Sequence, residues 1–403
     1  MTARQGKRVA VVVGAAGARG GYEAGALSVL VPRLRAAGCE PKVYLGFGAG
    51  ALNAALMTAF AHLEPAEQAG RVVELWRSMP ITKVCRSPLL AVPGVTAHLV
   101  GQILRLPGVR FTHVLDTAPL RRKIHAAIDC RQLSDNIAGK GLTLAVVTTS
   151  GDDDRSVVFV ERADGVPVPA ADDERPIDYI EAPVRPEHVL ASAALPVLFP
   201  AVRIRKPSGA AGWYLDGGLR LDAPMKPALA LEADALVVVA TRPLRDSTTT
   251  PQPGGLAPDV DDVLVELLNI ALADRLVEDL RTLAKINALL PEDEPVVTAT
   301  GRLRRKIPYV FVGPPHRETL GRLALEVLHA NSRYSGCRAT RLRQRELRLL
   351  ARGFEGDGPR RGDLVSYLYF DHQFVEAAIE LGRRDANALF EGLPVSEIPW
   401  RVD

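Results

Sequence analysis

Lys42-Val-Tyr-Leu-Gly-Phe-Gly-Ala-Gly-Ala-Leu-Asn-Ala-Ala-Leu56 decides how this chain is read. The apolar run Val43 to Leu45 predicts a short buried strand, and the Ala/Leu/Asn run after Gly50 predicts a helix. Gly46-Phe47-Gly48-Ala49-Gly50 then falls on the turn between them. A Gly-x-Ser-x-Gly sequence at such a turn lifts its serine above the sheet in a strained conformation, and the small flanking residues let the turn be that tight. Here the centre is Gly48. The scaffold for a serine nucleophile is present without the serine.

Working outward, the 403 residues suffice for one large α/β domain with an appendage, or for two domains. A hydrophobic content of 47% and a charged content of 24% describe an ordinary globular protein. The net charge of +3 is too small, and the aromatic content of 5% too low, to point to nucleic acid as a partner. Val9 to Val13 reads as a short strand rather than as the core of a signal peptide. No stretch approaches the roughly 20 apolar residues that span a bilayer. Cys39, Cys85, Cys130 and Cys337 are scattered and form no CxxC pair, as expected of buried free thiols in a reducing cytoplasm. No metal or cofactor pattern is expected.

Upstream of the turn, Val9 to Val13 runs into Gly14-Ala15-Ala16-Gly17-Ala18-Arg19-Gly20-Gly21, and Tyr22 to Ala36 then predicts a helix. Such a turn presents amide N–H groups to an anion at a helix N-terminus. A P-loop needs Gly-Lys followed by Ser or Thr, which is absent, and a dinucleotide loop needs G-x-G-x-x-G, whereas the glycines here stand at 14, 17 and 20. Both nucleotide readings are weak. A loop whose N–H groups hold charge developing on a carbonyl oxygen gains force, because the Gly48 turn follows on the next strand.

Taken together, VVVGAAGARGGYEAGAL and GFGAGALNAAL resemble the patatin-like phospholipases, whose pattern is a Gly-Gly-Gly-x-Arg/Lys-Gly loop, a Gly-x-Ser-x-Gly elbow and a later Asp-Gly-Gly/Ala. The third element stands at Asp216-Gly217-Gly218 in WYLDGGLRLDAPM. The segment His188 to Pro200 before it is also similar to that of bacterial members. The resemblance covers roughly residues 7 to 242.

It implies a three-layer α/β/α fold with a mainly parallel central sheet, an acyl lipid or phospholipid as substrate, and a two-residue engine. In that engine the elbow serine attacks an acyl carbonyl and the aspartate takes its proton, because a serine hydroxyl is a weak nucleophile until a base does so. Carried over, the nucleophile position is Gly48, within an elbow of Gly46, Phe47, Ala49 and Gly50. The base is Asp216, in a turn with Gly217 and Gly218, and the oxyanion loop is Ala15, Ala16, Gly17, Ala18, Arg19 and Gly20.

Two departures follow. Gly48 has no side chain to acylate, and Ser28, Ser150, Ser192 and Ser208 do not stand between glycines as an elbow serine does. Ala15 and Ala16 replace glycines of the pattern; at sites of positive φ each costs about 1–2 kcal/mol, or the loop takes another shape. Departures in two separate loops favour a natural pseudoenzyme over a laboratory inactivation of the serine alone. The leading expectation is a lipid acyl-ester hydrolase impaired or inactive because position 48 is glycine; the alternatives are a pseudoenzyme that binds acyl lipid or regulates a partner, and an enzyme using Asp216 as general base on water or on substrate. Arg19 reads either as a solvated cation or as a brace or head-group contact. His113, His125 and His188 read as surface or packing residues.

The rest of the chain predicts helices at Glu67–Trp76 and Pro119–Ile128 and a strand at Leu142–Thr149. Its antiparallel partner, Arg155–Glu161, is joined through a solvated Asp152-Asp153-Asp154 turn. Tyr214–Leu215 leads into Asp216 as a strand end, and Ala235–Thr241 is a further strand. Cys85 to Gly108 reads as an irregular insertion. The expected organisation is a patatin-like domain over 7–242, a surface linker over 243–262, and a mainly helical extension over 263–403 packed on the core. Within it, Val263 to Leu290 predicts a helix whose leucine stripe docks on the core. Tyr309–Val312 reads as a strand, and Leu320–Leu328, Arg341–Arg348 and Asp363–Arg384 as helices. The expected setting is cytoplasmic, with peripheral membrane contact compatible with the sequence.

Overall fold

The computed structural model describes residues 8–15, 17–86, 112–221, 224–245, 275–291, 295–297, 303–334 and 361–402. The insertion expected over 85–108 lies largely outside these residues, as do the 263–274 part of the long helix, the 341–348 segment and Cys337.

The strands are β1 (Val9–Ala15), β2 (Pro41–Gly48), β3 (Thr143–Ser150), β4 (Ser156–Arg162), β5 (Ile177–Glu181), β6 (Val202–Ile204), β7 (Gly212–Asp216), β8 (Ala235–Ala240), β9 (Val296–Val297), β10 (Leu303–Arg304) and β11 (Tyr309–Val312). Nine of them form one sheet in the order β11-β8-β1-β2-β3-β4-β5, with β7 added on β3 and β6 on β7. The strands from β11 to β3 are parallel, which is why β1 and β8 are apolar at every position: helices cover both faces. Val9, Val11 and Val13 face one helical layer, and Ala10 and Val12 face the other.

The first layer holds α1 (Gly20–Ala36), α2 (Ala49–Ala59) and α3 (Pro65–Arg77). Beyond them come α4 (Ile81–Val84), α5 (Ala118–Ala127), α6 (Cys130–Lys140) and α7 (Pro186–Ser192). On the opposite face, α8 (Lys226–Ala230) and α9 (Arg275–Leu289) bury Ala228, Leu276, Leu280 and Leu283 against the sheet. The described part of the leucine stripe thus docks inward. The chain closes with α10 (Thr319–Tyr334), α11 (Arg361–Leu368) and α12 (His372–Ala388). The segment expected as one helix over 363–384 is therefore two. The second begins at Asp371, whose side chain accepts the N–H groups of Gln373 and Phe374 and so starts a new helix there.

Residues after 262 also supply a strand to the central sheet, β11, paired with β8. In addition, α12 crosses α1 at very short range. A Cβ on Gly25 would lie 2.0 Å from the Ile379 carbonyl oxygen, and one on Gly382 2.0 Å from that of Tyr22. The contact is sealed by the Tyr22 hydroxyl donating to Asp385 at 2.7 Å.

Gly382→Ala is expected to cost about 1–3 kcal/mol, the usual range for overpacking. Gly139→Ala in α6, where nothing lies within 4 Å of the new Cβ, should instead stabilise by up to about 1 kcal/mol. Chemical denaturation of the two variants beside the parent checks the opposite signs.

Candidate functional site

The predicted strand-to-helix turn is where β2 passes into α2, and its glycines are required by space. A Cβ on Gly46 would lie 2.5 Å from the Cα of Ala51, and one on Gly50 2.4 Å from the carbonyl oxygen of Val13. Gly48 is the residue before α2 and sits at φ 60° and ψ −138°, a conformation that strains any side-chain-bearing residue. Elbow geometry is present with glycine at its centre.

The Asp216 turn reaches the elbow through the sheet. β4 pairs along one edge of β3 from Thr143 to Thr149. The other edge is shared: β2 pairs with it up to Gly46 opposite Val146, and β7 takes over with Asp216 opposite Thr148. Because β7 runs antiparallel to β3 and β2 runs parallel, the carboxyl ends of β2 and β7 meet head to head. Asp216 and Gly48 are brought together although 168 positions separate them in sequence.

Around the aspartate the backbone is tied on every side. The Asp216 N–H donates to Ala194 O at 3.1 Å, and the Gly217 N–H to Ser192 O at 3.1 Å. Asp216 O accepts from the Thr149 hydroxyl at 2.8 Å. The side chain is 2% exposed. Its Oδ1 accepts the Gly218 N–H at 2.8 Å, and its Oδ2 has no hydrogen-bond partner among the described residues. Burial raises its pKa to about 7, against a smaller opposing effect of the Gly218 N–H. A carboxyl poised near neutrality with one unengaged oxygen is suited to exchanging a proton.

The glycine-rich loop lies beside the elbow, with Ala15 as the register partner of Gly48 across β1 and β2. Ala15 is extended strand, so it bears no left-handed penalty; positive φ falls on Gly17, at 59°. Ala16 lies outside the described residues. A Cβ on Gly17 would stand 1.8 Å from the carbonyl oxygen of Tyr367, so the loop rests directly on α11. Ala18 is buried, and at Gly20 a Cβ would meet the Trp76 ring at 2.3 Å.

Arg19 is fully buried, which excludes the solvated-cation reading. Its guanidinium donates to Asp363 Oδ1 at 2.6 Å and to the Ser366 hydroxyl at 2.8 Å, and stacks 4.0 Å from the centre of the Tyr367 ring. It braces the loop against the C-terminal helices.

Sequence reasoning missed a polar network beneath the loop. Asn53 donates to Glu23 Oε2 at 2.9 Å and to Gly20 O at 3.0 Å, and accepts from the Trp76 indole at 2.7 Å. Glu23 is fully buried, and burial raises its pKa to about 8, with bonds from Asn53 and the Gly14 backbone opposing. The signal was a lone Asn and a lone Glu inside Ala/Gly-rich helical runs. His188, by contrast, is a packing residue as expected. Its Nδ1 accepts the Arg185 N–H at 2.9 Å, its ring lies 4.4 Å from that of Phe159, and burial lowers its pKa to about 4. Asp152, Asp153 and Asp154 are exposed turn residues. Among the described residues no group of three His, Cys, Asp or Glu side chains is placed to hold a metal ion, and no helix is long and apolar enough to cross a membrane.

A family model described as patatin-like phospholipase matches residues 11–229. The chain belongs to the patatin-like phospholipase family. The match takes in the glycine-rich loop, the elbow and the Asp216 turn of this patatin-like chain, and stops before β8, α9, β11 and the C-terminal helices. Lipid hydrolysis is accordingly the chemistry of the family. No curated protein matches the chain. Among solved structures, the crystal structure of VipD from Legionella pneumophila is similar at 13% identity and a TM-score of 0.32, over 76% of this chain and 61% of VipD. This patatin-like chain thus spans about 61% of VipD's length.

Two outcomes are expected. Asp363→Ala leaves the Arg19 charge buried without its carboxylate and should destabilise the fold by about 3–5 kcal/mol in chemical denaturation. For Asp216, the folded state binds its proton more tightly than the unfolded chain, so stability falls as pH rises from about 4 through 7. At 1.36 kcal/mol per pKa unit, the gap from 3.8 to about 7 is worth on the order of 4 kcal/mol. Asp216→Asn should therefore melt higher than the parent at pH 8, with the difference vanishing near pH 4.

Proposed function

We propose that this chain is a patatin-like lipid acyl-ester hydrolase scaffold in which turnover is impaired or absent because the nucleophile position is Gly48. The observation that carries the reading is the meeting of the carboxyl ends of β2 and β7. It sets a glycine in elbow geometry beside a buried aspartate with one unengaged oxygen. On this reading Asp216 is the base and the N–H groups of residues 15 to 20 are the oxyanion donors. The patatin-like unit is 7–242, followed by a linker over 243–262 and an extension over 263–403. The ligand is an acyl lipid or phospholipid.

A serine at position 48 would release its proton to Asp216 as its Oγ bonds to the acyl carbonyl carbon. Charge developing on the carbonyl oxygen would be held by the loop N–H groups, and the proton would pass to the departing alcohol. Gly48 removes the bond-forming atom and leaves the remaining parts. The loss of a serine in such a unit typically leaves on the order of 10³ to 10⁴ over the uncatalysed rate, from binding and oxyanion contacts alone.

A second reading, a pseudoenzyme that holds acyl lipid without cutting it, is favoured by one specific observation. Glu23, Asn53 and Trp76 keep a buried network beneath the loop, and Arg19 separately ties the loop to the C-terminal helices, so the surroundings of the site are held together with glycine at position 48.

Gly48→Ser decides between them. The variant is expected to lose about 1–3 kcal/mol of stability to backbone strain and to gain release of p-nitrophenol from short-chain esters. Adding Asp216→Asn should abolish the gain. A folded Gly48→Ser protein with no ester turnover would overturn the hydrolase-scaffold reading and leave lipid binding as the role to pursue.

A further inference from the structure

Of the two buried acids near the elbow, Asp216 has a part in the chemistry above and Glu23 has none. Glu23 lies in the first turn of α1, just past the glycine-rich loop, with 0% exposure. Three elements converge on its carboxyl. Asn53, in the second turn of α2, donates to Oε2 at 2.9 Å. The same amide donates to Gly20 O at 3.0 Å and accepts the Trp76 indole N–H of α3 at 2.7 Å, which fixes its orientation. The Gly14 N–H reaches the carboxyl from the end of β1. Gly14 is itself pressed on the elbow helix: a Cβ on Gly50 would stand 2.9 Å from Gly14 N. One carboxyl thus joins the start of the loop, the helix that follows the loop and the helix that follows the elbow.

Packing alone does not call for an acid at this point. A buried carboxylate is costly without a cation, and among the described residues no Lys, Arg or His hydrogen-bonds to Glu23. Its polar neighbours on the other elements, Asn53 on α2 with Trp76 of α3 behind it and the Gly14 backbone on β1, do not titrate. On α1 itself the Tyr22 hydroxyl is engaged by Asp385 and the Arg19 guanidinium by Asp363. Oε1 has no hydrogen-bond partner among the described residues and is open to carry a proton. With burial raising the pKa to about 8, the neutral form prevails at pH 7. Neutral, the group ties the loop in place. Ionised, it sets a negative charge behind N–H groups that, on the reading above, must receive another.

We propose that Glu23 is a positioning residue for the acyl-transfer site: its carboxyl, shared between Asn53 of the elbow helix and Gly14 of the glycine-rich loop, fixes the loop N–H groups relative to position 48, and loss of its proton to solvent weakens those donors.

This inference rests on the hydrolase-scaffold reading, and its test separates the two. Gly48→Ser, alone and with Glu23→Gln or Glu23→Ala, is assayed on p-nitrophenyl acetate across neutral and alkaline pH, with circular dichroism to establish folding. Glutamine keeps an oxygen for Asn53 and cannot ionise, whereas alanine removes the tie. For Gly48→Ser, kcat is expected to rise near pH 7 as Asp216 loses its proton and to fall near pH 8 as Glu23 loses its own. Glu23→Gln should abolish the falling limb and keep most of kcat at pH 7. Glu23→Ala should lower kcat about 100-fold with little change in KM, the scale of a donor misplaced by about 1 Å. A falling limb that persists in folded Glu23→Gln, or a folded Glu23→Ala with undiminished kcat, overturns the positioning role and leaves the hydrolase reading standing.

Two measurements on the chain with Gly48 need no turnover. In amide hydrogen exchange, Glu23→Ala but not Glu23→Gln should speed exchange at residues 14 to 21 by about tenfold or more, while β3 and β4 exchange as in the parent. If that difference appears and Gly48→Ser cleaves nothing, the positioning role stands and the hydrolase reading falls. If loop exchange is the same in all three proteins, the positioning role falls. Should Glu23→Ala not fold, the Trp76 indole N–H resonance decides through its bond to Asn53. It is expected to shift with a midpoint near pH 8 in the parent and not in Glu23→Gln, and a flat response in both overturns the proposal.

Discussion

The close approach of α2 to the carboxyl ends of β1 and β2 is the constraint on which the site depends. With Gly46 and Gly50 pressed to about backbone contact, α2 starts as soon as β2 ends. The residue between them has no freedom to take an ordinary conformation. Everything nearby is placed with respect to that corner. Ala15 is in register with it, α1 is held through Asn53 and Glu23, and Asp216 arrives along the vacant part of β3's edge. The corner does not need the serine hydroxyl to exist. Its steric causes are main-chain contacts, so the corner keeps its shape with glycine at its centre.

Much of the fold was legible because its signals are local. Val9 to Val13 and Ala235 to Ala240 are apolar at every position and read as strands buried on both faces, and the glycine spacing marked the two turns that follow β1 and β2. The pairing of β7 with β3 was not legible. It depends on β2 ending its ladder opposite Val146 and leaving the last four positions of β3 free, three of which β7 takes, and no residue in Gly212 to Asp216 records that vacancy. The break at Asp371 was obscured for a different reason: apolar residues continue at helical spacing across it, and only the capping carboxylate marks the new start. Arg19 was ambiguous because its partner, Asp363, lies 344 positions away.

Two carboxyl groups near the elbow, Asp216 and Glu23, are both buried enough to titrate near or above neutrality. Arg19, equally buried, donates to Ser366, Tyr367 and the carboxylate and carbonyl of Asp363 in the C-terminal helices. The loop is thus anchored by a charge that is compensated, while the carboxyls stay close to the neutral form. This division is physically economical. A buried guanidinium cannot shed its proton and must be paired, whereas a buried carboxyl escapes most of the desolvation cost by taking one up.

The sheet order carries a further consequence for how the molecule can be divided. β8, which lies beyond the span matched by the family model, pairs with β1 along Val9 to Gly14 and separates it from β11. A piece ending at residue 229 would leave β1, whose Val9 to Val13 are all buried, as a bare margin with a row of unpaired N–H and C=O groups. Such a margin recruits strands from other molecules. The recognisable family segment is therefore not a self-sufficient folding unit, and in this protein the residues that follow it are what keep its central strand from becoming sticky.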